Sequence, residues 1–147
     1  MEYKKFSITL LCSFVIMYLT MFLNMDDVHD YHTSMTRIYM TLLMVAPMAI
    51  VMILIMGKMY PSKRVNHWII ASASIVFILT LIGLRSQTLV GDTQYLKAMI
   101  PHHSSAIMTS KNASIKDPEV RKLADSIIAS QEKEIQQMNK ILKRFGS

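Results

Sequence analysis

Three long apolar runs constrain this chain more than any other feature. They occupy residues 6–25, 38–57 and 68–84. A helix needs roughly 20 apolar residues to cross a hydrocarbon core of about 30 Å. The first two runs reach that length. The third is shorter, but it opens on Trp68, a residue type favoured at membrane interfaces, and closes at Arg85. In a chain of 147 residues that is 52% hydrophobic, with a mean hydropathy of +0.31, little length remains for a soluble core. The expected fold is all-α, with three transmembrane helices in residues 1–90 and a helical hairpin domain in residues 91–147. Lys4-Lys5 would also suit a signal peptide, but no small-x-small cleavage site follows, so the first run reads as an uncleaved anchor.

Loop charge orients the spans. Lys4 and Lys5 precede the first run, and Lys58, Lys63 and Arg64 separate the second from the third. The connection between the first two carries Asp26, Asp27 and Asp30 against Arg37. Lys/Arg excess marks the cytoplasmic side. This predicts a multi-pass protein of a bacterial inner membrane, with its N-terminus cytoplasmic and everything after Arg85 in the periplasm. The net charge of +6 therefore reflects membrane-flanking residues and the tail, and nucleic acid is not an expected partner. Cys12, the one cysteine, excludes an intrachain disulfide framework or a multi-Cys metal site.

The tail reads as two helices. Asp92 is placed to cap the first, which runs to about Asn112. Asp117-Pro118-Glu119 starts the second with a capping side chain, Pro at the first helical position and an acid in the first turn. Lys143, Arg144 and then Gly146 suit its end. Two helices of this size bury little core alone. The expected remedy is homo-oligomerisation, two hairpins making a four-helix bundle.

The strongest chemical signal lies on the first tail helix, in Met99-Ile100-Pro101-His102-His103. At 100° per residue Met99, His102 and His103 share one face within about 100° of arc. Pro101 lacks an N–H and should loosen the helix beside them. On the second tail helix Gln131, Glu134 and Met138 share a face. If these faces meet, imidazole, thioether and carboxylate converge, a donor set that suits copper, with Cu(I) and Ag(I) favoured by the thioether. His102, His103 and Met99 are the principal candidates, and Glu134 is a ligand or an acceptor that orients one imidazole. Met138 and Met108 are weaker ones, the helical phase of Met108 being nearly opposite Met99. The competing reading is a polar layer in which His is paired with Glu and Met fills gaps.

Tyr95 to Met108, with its M-I-x-H-H run, together with Asp117 to Met138, with Q-x-x-E-I-x-x-M, resembles the DUF305 family over residues 92–142. The resemblance implies a ferritin-like helical-bundle domain. It also implies a metal-handling role, since periplasmic members include copper-binding proteins of the CopM type. The membrane half is similar to a three-span, Met-rich branch of that family.

Two further groups stand outside the tail. Met40, Met44, Met48, Met52 and Met56 form an i, i+4 ladder covering about 24 Å of the second run. The connection before it holds Met25, His29, His32 and Met35, a secondary set of metal ligands. The function these residues predict is binding of copper, or else silver, in metal homeostasis or resistance, possible partners being the bilayer, further copies and other metal-resistance proteins. One alternative is a Cu(I)/Ag(I) conduit along the methionine ladder. Another is a structural adaptor that holds no metal. No nucleophile–base arrangement or phosphate-binding glycine loop is present, so catalysis is not expected.

Overall fold

A computed structural model describes residues 2–146. Five helices and two single 3-10 turns form it, with no strand among the described residues. The helices are α1 (Glu2–Thr20), α2 (Met35–Ile55), α3 (Lys63–Ser86), α4 (Asp92–Asn112) and α5 (Pro118–Arg144), and the 3-10 turns are Val28–Asp30 and Gly57–Met59. The chain divides into two compact units. One contains residues 2–19 and Thr36–Leu89. The other joins the α1–α2 connection, Thr20–Met35, to residues 90–146.

In the first unit Phe6, Ala49, Ile53, Tyr60 and Ala73 form the buried centre, with Tyr3, Leu10 and Met52 packed against it. The Tyr3 hydroxyl accepts from the Ser62 amide at 3.1 Å and lies 2.9 Å from Asn66 Oδ1, to which it donates. The start of α1 is thereby fastened to the α2–α3 connection. Gly83 admits the Tyr39 ring, which would lie 3.2 Å from a Cβ at that position. Tyr39 then donates to the Thr88 carbonyl at 2.7 Å.

Two helices, α2 and α3, are long and apolar enough to cross a membrane, where three were expected. The first apolar run ends as a helix at Thr20 instead of Met25. Residues 6–20 span only about 22 Å. The chain downstream is committed to other partners: Asn24, Asp26 and Asp27 bond to α4. α2 begins three residues before the expected Ile38, because Gln94 Oε1 accepts from the Met35 amide at 2.9 Å and so satisfies a free helix-end donor. α3 begins five residues before Trp68, where the Ser62 hydroxyl caps it by accepting from the Val65 amide.

The second unit is built on the α4–α5 hairpin. Leu96, Ile100, Ile107, Ile135, Met138 and Leu142 are buried between the helices, with Met99, Ile128 and Ile141 against them. Asp117 caps α5 by accepting from the Glu119 and Val120 amides. Arg121 ties α5 back to α4 by donating to the Ser110 carbonyl at 3.0 Å. α4 differs from expectation at its start: Gly91 occupies the cap position and Asp92 is the first helical residue. α4 also runs through Pro101 unbroken, with that ring fully buried, because packing holds the turn that Pro101 deprives of one hydrogen bond.

Candidate metal centre

The α4–α5 interface contains a cavity of about 240 Å³ lined by Tyr95, Leu96, Met99, His103, Glu134, Gln137, Met138 and Ile141. Four of the six ligands read from the tail sequence surround it: Met99, His103, Glu134 and Met138. α4 places Met99 and His103 one turn apart, and α5 places Glu134 and Met138 likewise. Gln137 and Tyr95 complete its polar lining, and Gln137 was not among the predicted ligands. Its position one residue before Met138 carries no spacing signal of its own.

His103 is 9% exposed. Its Nδ1 lies 3.2 Å from Glu134 Oε2, yet the ring is not aligned for a hydrogen bond, and Nδ1 is buried without a partner. Glu134 is more open and accepts through its other oxygen from the Ser130 hydroxyl at 2.8 Å. Burial disfavours the imidazolium and holds the His103 pKa below its ordinary 6.5. The Glu134 carboxylate opposes that shift and His102 adds weakly to it. A neutral imidazole is the form that binds a metal.

His102 is exposed, with its ring 6.1 Å from that of His103 and turned 61° to it. Neither His102 nor Met108 lines the cavity. Among the described residues no group of three or more His, Cys, Asp or Glu side chains is gathered as a metal site, so the convergence in the cavity depends on thioethers.

The methionine ladder lies beside the packed face of α2. The buried residues Arg37, Thr41, Val45, Ala49 and Ile53 repeat every four residues, about 60° round the helix from the methionines. Met40, Met44 and Met56 are exposed, while Met48 and Met52 are half-buried. A path along this ridge would run outside the unit and would need a second chain to close it.

The α1–α2 connection is tied to α4, a link the sequence did not announce. Ser104, fully buried beside His103, accepts from the Asp26 and Asp27 amides at 3.0 and 3.3 Å. Asn24 donates to Ser105 at 2.8 Å, and Lys111 meets Asp26 at 2.7 Å. The available signal was two adjacent serines in a helix interior, where their hydroxyls need partners. Met25, His29, His32 and Met35 all lie on this segment.

Residues 81–143 match the family model described as "Domain of unknown function (DUF305)". Over 136 residues the chain is 42% identical to "Uncharacterized protein L153" of Acanthamoeba polyphaga mimivirus, covering 90% of this chain and 87% of that protein. That match reaches well beyond the domain, into the apolar helices. No solved structure matches.

Proposed function

This chain belongs to the DUF305 family, and on that premise we propose that it is a membrane-anchored protein that holds a soft metal ion in the α4–α5 cavity, copper(I) first and silver(I) next. The observation that carries the reading is the buried, unpartnered Nδ1 of His103 in a cavity that also contains Met99, Met138 and Glu134. A buried polar atom without a partner is costly, and a metal ion would supply the missing one. Imidazole and two thioethers match the softness of a monovalent coinage metal. Glu134 balances its charge or becomes a fourth donor.

Membrane anchoring draws support from the first unit. Only 22% and 11% of the apolar stretches of α2 and α3 are buried, which leaves extensive apolar surface for lipid. We assign α1 as a third, short crossing whose Lys4 and Lys5 reach the interface. The positive-inside rule then places the hairpin on the side away from the cytoplasm, the periplasm in a bacterium. A second copy of the hairpin would complete a four-helix bundle.

The test is native mass spectrometry of the full chain in detergent, loaded anaerobically with Cu(I) or Ag(I), which reads metal content and copy number together. His103→Ala and the Met99→Leu/Met138→Leu pair are expected to lose the ion. His102→Ala is expected to keep it. Equal retention in all variants, or no metal in the native chain, would overturn the assignment and favour an adaptor role.

A further inference from the structure

Between its three helices the first unit contains an apolar groove of about 250 Å³, whose wall includes Phe6 and Leu10 of α1, Ala46 and Ala49 of α2, and Ile69 and Val76 of α3. Ser72 has the one polar side chain on that wall, and its hydroxyl donates to the Ile69 carbonyl at 3.0 Å. A water inside would meet that single oxygen, where an ordered water needs about two to four partners. Left empty, the groove forfeits dispersion contacts along its lining. A helix about 10 Å across is too thick to seat in it, whereas a hydrocarbon chain is slender enough. The same unit concentrates positive charge at one end. Lys4 and Lys5 stand at the start of α1, Lys58 in the α2–α3 connection, and Lys63 and Arg64 at the start of α3. The bonds of Tyr3 to Ser62 and Asn66 hold the two helix starts together. All five cations are exposed, and none is ion-paired among the described residues. Glu2 is the one carboxylate among the described residues of that unit. Ile69 is the α3 wall residue nearest this end, about 8 Å of helix beyond Arg64.

We propose that the groove seats one acyl chain of an anionic phospholipid, whose headgroup lies among Lys4, Lys5, Lys58, Lys63 and Arg64. Hydrocarbon matches the wall, and a net negative headgroup answers the five cations, since each Lys or Arg near the surface adds attraction to anionic lipid. Charge alone would gather lipid without a fixed number. The groove sets it at one molecule per chain. This site rests on the membrane-anchored reading of α2 and α3, and it stands independently of the metal reading for the α4–α5 cavity.

The experiment has two arms. Alkaline carbonate extraction of membranes containing the full chain reads the anchoring. Native mass spectrometry of the full chain in detergent, titrated with phosphatidylglycerol or with phosphatidylcholine of the same acyl chains, reads the site. The native chain is expected to stay with the membrane and to bind one phosphatidylglycerol at least about fivefold more tightly than phosphatidylcholine. Ser72→Phe/Val76→Phe, a change at two exposed wall positions, should fill the groove and abolish tight binding of either lipid while the chain stays in the membrane. Lys63→Gln/Arg64→Gln should keep one bound lipid and lose most of the preference between the two. Equal binding of phosphatidylglycerol by the filled variant, no preference in the native chain, or a lipid-free dimer that the filled variant fails to form would overturn the proposal. Release of the native chain by carbonate would overturn the anchoring itself, and this site with it.

Discussion

His103 and His102 are neighbours in sequence with opposite environments. His103 is 9% exposed while His102 is open to solvent. Burial depresses the His103 pKa in the folded chain, so between that value and the ordinary 6.5 the unfolded chain binds a proton that the folded one refuses. Stability contributed by the neutral ring is therefore present above about pH 6.5, falls as the pH drops through the window below it, and levels off beneath the folded pKa. Thermal unfolding of the metal-free full chain should show a falling midpoint from pH 7 to pH 5. His103→Phe, which cannot take the proton, should flatten that slope, and an equal slope in both proteins would remove His103 as its origin. The shared face of Met99 and His103 was legible in the sequence. Which imidazole entered the interface was not, because the two differ by 100° of helical phase and only the position of α5 selects between them.

At the level of elements, local rules decided helix ends where the partner was near in sequence. Asp117-Pro118-Glu119 starts α5 as read, since the cap acts on amides two and three residues away. Ends set by distant partners escaped. α1 stops at Thr20, and α2 starts at Met35 with Gln94, 59 residues on, as acceptor for its first amide. The attachment of the α1–α2 connection rests on Ser104, which takes two amides from residues 77 and 78 positions earlier. Ser104→Ala leaves both without that acceptor, at about 0.5–1.5 kcal/mol for each part-buried hydrogen bond. Hydrogen exchange at Asp26 and Asp27 should then accelerate about 10-fold or more, while exchange in the middle of α5 stays unchanged. Unaltered exchange at both amides would mean that Ser104 does not hold the segment.

For the whole molecule, the number of crossings decides whether the α4–α5 hairpin shares a side of the membrane with Lys4 and Lys5. α2 and α3 qualify by length and composition, whereas α1 contributes about 22 Å of apolar helix. Two crossings leave the termini on the same side and three separate them. Reporter tags at the two ends, probed in intact cells, are expected to lie on opposite faces of the membrane, in keeping with Lys4 and Lys5 at the interface. Tags on one face would reduce the count to two, α2 and α3, and place His103 on the side of Lys4 and Lys5, still opposite Lys58.

The sequence alone determined that the chain is helical, where its apolar runs lie, how α5 begins and which side chains could act as soft ligands. Those properties follow from hydropathy and from interactions within one or two turns, which a linear reading captures. Only the tertiary structure decided that Thr20–Met35 belongs with the C-terminal hairpin, that His103 and not His102 faces Glu134, and that the methionine ladder lies beside the α2 interface. Each of these depends on groups brought together across a long stretch of chain. The contacts that select them, an amide donating to a serine hydroxyl or an imidazole beside a carboxylate, have no period in the sequence.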